Sequence, residues 1–248
     1  MNSTTKTHTV LITGASGGIG SSIALTLAKE GYNVVVHYNK NEKQAKKLES
    51  EIKKYSNAIS IQADLSKPEN AITLYEKSEQ YFGFIDTVVC VAGVAHYESF
   101  ESLTPETYRS VCDINLGSHM CLIAKALPKM RQKTYGRIVV ISSIWGETGA
   151  SYEVLYSTTK SALIGMTKAL SKEVAEYNIT VNAVSPGVID TAMLDKFSNS
   201  EKAELISQIP IGRFGSVQDV ANAVSFLCSE KSSYITGEVI SVNGGFGK

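Results

Sequence analysis

Short apolar runs alternate with longer segments of helical periodicity along the whole chain. The apolar runs predict seven strands, near 10–12, 33–38, 58–63, 85–91, 136–143, 179–184 and 239–242. Between the strands, apolar residues at three- and four-residue spacing predict helices near 23–28, 42–54, 68–83, 104–133, 156–177 and 217–228. Regular alternation of strands and helices predicts an α/β fold, a Rossmann-like doubly wound parallel sheet in a single domain over residues 1–248.

The first predicted strand is followed at once by a glycine-rich turn and then by a helix. The turn reads Thr13-Gly14-Ala15-Ser16-Gly17-Gly18-Ile19-Gly20. Glycines let backbone amides approach a pyrophosphate, and a helix N-terminus offers partial positive charge to it. A tight turn that only needs positive φ is the alternative. Its place directly after the first strand favours a dinucleotide-binding loop.

The end of the second predicted strand bears on which nicotinamide cofactor would bind. An acidic residue at this point accepts hydrogen bonds from the adenosine 2′-hydroxyl and repels a 2′-phosphate. The sequence there is His37-Tyr38-Asn39-Lys40, which contains no acid. This favours NADP(H) over NAD(H), although a solvated loop lysine is the alternative interpretation of Lys40.

The third and fourth predicted strands also end in residues that suit a nucleotide. Asp64 follows the third strand, where its carboxylate could accept a hydrogen bond from the adenine amino group. Capping of the helix that begins near Pro68 is the alternative, and both roles are compatible. Ala92-Gly93 follow the fourth strand, where small residues would let the backbone pass under a cofactor.

Candidate acid–base chemistry lies at the start of the helix predicted from residue 156. Tyr156 and Lys160 are four residues apart, so they would share one helix face. An ammonium beside a phenol favours the phenolate and lowers its pKa from about 10, which permits proton transfer near neutral pH. Ser143 ends the fifth strand, and its hydroxyl could bind the same substrate oxygen. A surface tyrosine and a solvated lysine are the alternative for an isolated pair.

Asn115 interrupts the apolar stripe of the helix predicted over 104–133. That helix has a capping threonine, Thr104, and a proline at its first position. An amide on an apolar stripe is either a satisfied core group or part of a proton relay. Periodicity alone favours the core group.

Composition narrows the class of partner. Lys and Arg together number 24, as do Asp and Glu, so the formal net charge is zero, and neither nucleic acid nor a membrane surface is expected as a partner.

The cysteines and the N-terminus bear on the compartment. The spacing of the four cysteines fits neither a metal site nor a disulfide framework. Three of them lie in apolar contexts, which predicts buried, reduced thiols. The N-terminus lacks a signal-peptide pattern and no apolar run could span a bilayer, so a cytoplasmic location is expected.

Two segments near these residues are expected to shape a substrate site. Residues 144–155 are expected to form a glycine-containing loop. Residues 190–214 combine weak helical patterning with polar breaks, which predicts a mobile lid over a substrate. His96 lies in a predicted loop and is interpreted as incidental rather than catalytic.

The order of these motifs resembles that of the short-chain dehydrogenase/reductase family over essentially the whole chain. The glycine loop, Asp64, and the Ser143, Tyr156 and Lys160 set match that family's cofactor loop, adenine-contacting acid and catalytic residues. The resemblance implies the catalytic residues Asn115, Ser143, Tyr156 and Lys160. It implies cofactor contacts from Gly14, Ser16, Gly18, Ile19, Gly20, Asn39, Asp64, Leu65, Ala92, Gly93, Tyr156, Lys160, Pro186, Gly187, Ile189 and Thr191.

Within that family the chain is most similar to the 3-oxoacyl-[acyl-carrier-protein] reductases, in the stretches 178–187, 208–215 and 233–237. This similarity implies NADPH-dependent reduction of a ketone to a secondary alcohol in fatty acid synthesis. The resemblance implies an acyl-thioester substrate, for which acyl carrier protein is the candidate carrier, and a homotetrameric assembly. Another small ketone, alcohol or sugar as substrate is the first alternative, and a catalytically silent NADP-binding regulator is the second. The complete set of four catalytic residues argues for an enzyme.

The sequence also departs from the family pattern. Cys90-Val91-Ala92-Gly93 stands where the family usually has Asn-Asn-Ala-Gly, which predicts weaker local tethering of the fourth strand. Residues 145–153 are bulkier and more acidic than expected next to an acidic carrier protein. Arg131, Lys133 and Arg137 are the candidate basic residues for docking such a carrier.

Overall fold

The computed structural model describes residues 7–191, 194 and 198–247. Within this part of the chain the strands are β1 Thr9–Thr13, β2 Asn33–Tyr38, β3 Ala58–Gln62, β4 Thr87–Cys90, β5 Gly136–Ile141, β6 Ile179–Pro186 and β7 Val239–Val242. The α-helices are α1 Gly18–Lys29, α2 Glu42–Ile52, α3 Glu69–Phe82, α4 Pro105–Cys112, α5 Ser118–Lys133, α6 Ile144–Thr148, α7 Val154–Val174, α8 Asn199–Ser207 and α9 Val217–Cys228.

The seven strands form one parallel sheet in the order β3-β2-β1-β4-β5-β6-β7. Chain order therefore reverses between β1 and β4, which pair directly in register Val10↔Thr87 to Thr13↔Cys90. In such a sheet, ligands bind beyond the carboxyl ends of the strands at the point of reversal. The predicted doubly wound α/β fold is confirmed, and the glycine-rich turn lies at that point.

Helices cover both faces of the sheet and produce two apolar layers. Successive residues of a strand point to opposite faces, so in β1 Val10 and Ile12 join the layer under α1 and α9, while Leu11 joins the layer under α3 and α5. All three are completely buried. Each such side chain stabilises the fold by about 1.5–3 kcal/mol relative to an exposed one. This double burial explains why the strands appear in the sequence as continuous apolar runs.

The helix predicted over 104–133 begins as expected but is not a regular α-helix throughout. The Thr104 hydroxyl accepts a hydrogen bond from the Thr107 amide at 3.2 Å, and Pro105 occupies the first turn. Between α4 and α5 the chain forms a π-helical turn, Asp113–Gly117. Single π turns inside helices are frequent at functional sites. Here the turn contains Asn115, which is completely buried.

Two further segments differ from their predicted form. The segment expected to be a loop over 144–155 contains the short helix α6, which the Ser143 hydroxyl caps by accepting from the Trp145 amide at 3.2 Å. The segment 190–214 contains α8, whose first turn is closed by reciprocal hydrogen bonds between Ser198 and Glu201. Part of that segment lies outside the described residues. Both helices are short and are stabilised by polar residues that cap their first turns. Apolar periodicity, on which the prediction relied, does not detect such capping.

The cysteines are all free, but fewer are buried than predicted. Cys90 and Cys228 are buried, whereas Cys112 and Cys121 are partly exposed. The expectation of three buried thiols is therefore wrong for one of them, because α4 and α5 are amphipathic and carry those two residues off their most buried side. Among the described residues, none of the helices has the length and apolarity needed to cross a membrane.

Candidate active site

A cleft of about 510 Å³ opens beside the carboxyl ends of the strands. Nine of the residues predicted for the site line it: Ile19, Gly93, Ser143, Tyr156, Lys160, Pro186, Gly187, Ile189 and Thr191. The other nine predicted residues are not among those that line it: Gly14, Ser16, Gly18, Gly20, Asn39, Asp64, Leu65, Ala92 and Asn115. The topology therefore brings the chain after β1, β4, β5 and β6, together with the start of α7, to one cavity.

Tyr156 and Ser143 meet in this cleft. Tyr156 lies in the first turn of α7, and Ser143 is the extended residue between β5 and α6. The Ser143 hydroxyl lies close enough to the phenol to lower the pKa of Tyr156 by hydrogen bonding. A carbonyl oxygen placed between the two hydroxyls could accept a hydrogen bond from each.

Lys160 lies one turn further along α7, on the same side as Tyr156. Its Nζ is 5.7 Å from the centre of the Tyr156 ring and donates to the Ile141 carbonyl at 2.8 Å. The side chain is almost completely buried. Burial lowers the pKa of Lys160 to about 8, and the Cys90 thiol acts weakly in the opposite direction. The ammonium is thus poised to lose its proton slightly above neutral pH.

The expectation that Lys160 lowers the pKa of Tyr156 is not met in this structure. Burial raises the pKa of Tyr156, the Ser143 hydroxyl opposes that rise, and the Glu153 carboxylate adds to it. The Lys160 ammonium donates to the Ile141 carbonyl and lies 5.7 Å from the centre of the Tyr156 ring. Desolvation of the phenol therefore outweighs attraction to the ammonium.

Asn115 has its hydrogen-bonding groups satisfied by neighbouring segments. Its Oδ1 accepts from the Val94 amide at 2.8 Å, and its Nδ2 donates to the Val94 carbonyl at 3.0 Å and to Thr159 Oγ1 at 3.2 Å. It therefore ties the chain after β4 to α7. A Cβ on Gly93 would lie 3.4 Å from both Asn115 Oδ1 and Lys160 Nζ, so the amide and the ammonium flank the same glycine. A relay through Asn115 stays a prediction.

The glycine-rich turn has the shape of a phosphate cradle. Gly14 has φ +64°, and a Cβ on Gly20 would collide with the Gly14 carbonyl. Helix α1 begins at Gly18, and no side chain caps its first amides. Backbone amides are thus exposed at a helix N-terminus, next to a turn that only glycine can form. These features fit the pyrophosphate of a dinucleotide.

Asp64 follows β3 but does not cap α3. Its Oδ1 accepts from the Ser66 amide at 3.1 Å and the Ser66 hydroxyl at 2.8 Å, and Asn39 Nδ2 approaches the same oxygen at 3.4 Å. Helix α3 instead begins after Pro68 without a side-chain cap, so the capping alternative is wrong. The bonds from Ser66 lower the pKa of Asp64 and keep it ionised. A contact between Asp64 and an adenine stays a prediction.

The end of β4 is held by a residue that sequence reasoning passed over. Thr13 Oγ1 accepts hydrogen bonds from the Val91 amide at 2.9 Å and the Ala92 amide at 3.1 Å. The loss of the two family asparagines at 90 and 91 was expected to weaken this tether. The Thr13 hydroxyl supplies one from β1, and its position in the glycine motif is the signal that could have identified it.

The outer part of the cleft is mostly apolar. Its walls come from Val94, Ala95, Ile144, Trp145, Val188 and Leu194, and Glu153 is the acidic residue among the lining side chains. The Trp145 ring packs edge-on against Phe246 at 5.8 Å, so the C-terminal segment supports this wall. Of the predicted lid over 190–214, Thr191 and Leu194 line the cleft.

The three candidate docking bases have different surroundings. Arg137 is completely buried, where it donates to the Gly136 and Asn178 carbonyls and pairs with Glu230. Its proposed role in docking a carrier protein is therefore wrong. Arg131 pairs with Glu173 at 2.7 Å on the surface, and Lys133 is exposed. Those two remain available to an outside partner.

Comparisons with known proteins agree with this geometry. A family model described as "Enoyl-(Acyl carrier protein) reductase" matches residues 14–247. An oxidoreductase of Bacillus subtilis named YmfI and described as uncharacterized is 45% identical over 96% of this chain and 98% of its own. The 3-oxoacyl-[acyl-carrier-protein] reductase FabG of Staphylococcus aureus is 40% identical, with the same coverage. A crystal structure of a 3-oxoacyl-[acyl-carrier protein] reductase from Brucella melitensis superimposes with a TM-score of 0.89 at 31% identity, covering 96% of this chain and 91% of that one.

Proposed function

Because the chain belongs to the short-chain dehydrogenase/reductase family, and is therefore an NAD(P)-dependent oxidoreductase acting on CH–OH or C=O groups, we propose that it reduces a 3-oxoacyl thioester to the 3-hydroxyacyl thioester with NADPH. The observation that carries the proposal is the convergence of Ser143, Tyr156 and Lys160 on one cleft beside the glycine cradle. The names of the relatives support the acyl substrate.

The proposed chemistry divides between a cofactor and the protein. A bound nicotinamide supplies the hydride. Ser143 orients the substrate carbonyl by donating a hydrogen bond to its oxygen, and Tyr156 donates the proton that converts the oxygen to a hydroxyl. Lys160, buried and with its pKa near 8, would bind the nicotinamide ribose and, once its contacts rearrange, would favour release of the tyrosine proton. Asn115 holds the chain after β4 against α7 beside Lys160.

Preference for NADPH is part of the proposal. The end of β2 carries Asn39 and Lys40, both exposed, where an NAD-specific member of the fold would present an acid. Lys40 lies near enough to Asp64 to contribute to the lowered pKa of that carboxyl. Its ammonium is therefore at the adenosine end of the site, where a 2′-phosphate would be attracted.

Assembly and location are proposed on more general grounds. An apolar surface on the π-helical turn, α5 and α7 includes Met120, which is 49% exposed, and Leu116, Leu127 and Met166. Paired with the same surface of a second copy, it would be covered in a homotetramer of the kind that the family resemblance implies. A cytoplasmic location accords with free cysteines in the described chain.

A substrate panel tests the acyl proposal. We expect oxidation of NADPH with acetoacetyl thioesters, faster on acyl carrier protein than on a short thiol, and slower oxidation with NADH. A higher kcat/KM for simple ketones or sugars than for any thioester would support the alternative substrate class, which the apolar Trp145 wall also permits. Tight NADPH binding without turnover of any carbonyl compound would instead support a catalytically silent regulator.

A further inference from the structure

One imidazole joins three segments at the adenosine end of the site. His37, the fifth residue of β2, is 2% exposed. Its Nδ1 accepts a hydrogen bond from the Gly14 amide at 2.9 Å, and its Nε2 lies 3.0 Å from the Ala63 carbonyl. The His37 carbonyl in turn accepts from the Ala15 amide at 3.0 Å. The glycine-rich turn is thus held from two sides by the same residue of β2.

These contacts require the neutral imidazole in one tautomer. An N–H that donates to Nδ1 leaves the ring proton on Nε2, which then donates to the Ala63 carbonyl. Burial lowers the pKa of His37 to about 4, so the required form is present at neutral pH. Both ring nitrogens are satisfied, and both partners are backbone groups whose positions depend on the ring.

The contact with Gly14 is important because that residue cannot adjust freely. Gly14 has φ +64° and packs closely against the Ala92 backbone on its other side. Its amide points away from the phosphate cradle toward β2, where the ring is its partner. Without an acceptor at this point, the buried amide would favour a different turn, and the neighbouring amides of the cradle would move with it.

We propose that His37 is a positioning residue for the dinucleotide, which sets the glycine-rich turn against the ends of β2 and β3 in the geometry that binds the cofactor. The inference rests on the proposed cofactor site but not on the substrate. His37 touches neither reacting atoms nor the cleft wall, so its effect reaches the cofactor through Gly14. The family resemblance gave no role to this position.

Three substitutions separate the two ring contacts. In His37→Asn the amide oxygen falls near the position of Nδ1 and can still accept from Gly14, whereas in His37→Gln the amide reaches the position of Nε2 and the Ala63 carbonyl. His37→Leu fills similar space and makes neither bond. We expect the Kd for NADPH, measured by fluorescence titration, to rise about tenfold in His37→Leu, as one lost buried hydrogen bond implies.

The pattern across the set distinguishes positioning from stability. We expect His37→Asn to recover most of the affinity, His37→Gln to recover little, and kcat at saturating NADPH to stay within about twofold in all three. Val35→Ala, a buried change two residues earlier on the same face of the strand, serves as the matched control. It should lower the melting temperature without changing the Kd.

Three outcomes would overturn the inference. The first is wild-type NADPH affinity in His37→Leu. The second is a loss of affinity in Val35→Ala equal to that in His37→Leu, since the effect would then follow stability alone. The third is failure of the wild-type protein to bind NADPH or NADH, which would overturn the proposed function as well and is recognisable from the wild type alone.

Discussion

A Cβ added at Gly14 tests the glycine cradle with a neighbouring glycine as control. Gly14 has φ +64°, and an ideal Cβ there would lie 2.9 Å from the Ala92 Cα and 3.0 Å from its amide nitrogen. That backbone cannot retreat easily, because the Val91 and Ala92 amides are bonded to Thr13 Oγ1. Gly17, three residues on, has φ −86° and would place a Cβ no closer than 3.4 Å to its nearest neighbour, the Gly14 carbonyl.

The cost of Gly14→Ala can be worked from these contacts. A left-handed alanine costs about 1–2 kcal/mol, and forcing a methyl group into a packed site costs about 1–3 kcal/mol more, giving about 2–5 kcal/mol in total. For a chain of this length each kcal/mol lowers the melting temperature by about 2–4 °C, so the expected fall is about 4–20 °C. Gly17→Ala should cost at most about 1 kcal/mol as a poorer N-cap.

The assay is thermal unfolding of both variants without cofactor, followed by titration with NADPH. Gly14→Ala should be destabilised by the amount above and should bind NADPH more weakly, whereas Gly17→Ala should unfold close to the wild type. A melting temperature of Gly14→Ala equal to that of Gly17→Ala would refute the reasoning, because it would mean that the turn accepts a side chain where the structure shows backbone contact.

Two further predictions concern the catalytic pair. Burial lowers the pKa of Lys160 to about 8, from 10.5 in the unfolded chain. Between these two pH values the unfolded state binds more protons than the folded state. The free energy of unfolding of the wild type, relative to that of Lys160→Met, should therefore rise from pH 8 to pH 10.5. Urea unfolding at about pH 7 and about pH 9.5 measures this rise, and a constant difference would contradict it. Tyr156→Phe should leave the Kd for NADPH within about twofold of the wild type, since the substitution removes only one hydroxyl group and the net contribution of one hydrogen bond is modest. Titration of the variant with NADPH checks this prediction.

Much of the fold could be predicted because strands that are buried on both faces of the sheet are continuous apolar runs in the sequence. β1, β5 and β6 are continuous apolar runs in the sequence, and the structure buries them under helices on each side. The start of α4 was also predicted correctly, because Thr104 caps the helix and Pro105 favours its first turn. Apolar runs alone do not give the order of the strands in the sheet. That order follows from a general rule for parallel sheets with helical crossovers, in which strands are added on both sides of the first strand.

The parts that could not be predicted depend on tertiary contacts. The π turn around Asn115 has no periodic signature, because one extra residue in a helix barely changes the apolar pattern. Arg137 was interpreted as a surface base because a charged residue is rarely fully buried, yet it is held inside by two backbone carbonyls and Glu230. The pKa of Tyr156 depends on where the Lys160 ammonium points, which spacing along a helix does not determine.

His37 illustrates the same limit within the site. In the sequence it is one polar residue at the end of an apolar strand, and the notable feature of its neighbourhood was the absent acid. Only the three-dimensional arrangement shows that its ring nitrogens reach Gly14 and Ala63, residues from two other strand ends. The two hydrogen-bond partners of the buried ring lie 23 and 26 residues away along the chain. Local sequence patterns therefore could not identify them.

The rate of NADPH oxidation by Tyr156→Phe with an acetoacetyl thioester, beside that of the wild type, tests the central assignment most directly. The account predicts turnover by the wild type and none detectable by the variant, although the variant still binds NADPH, because only the phenolic hydroxyl, and with it the proton donor, has been removed from the cleft. Turnover by Tyr156→Phe at a rate near that of the wild type would contradict the assignment of Tyr156 as the proton donor.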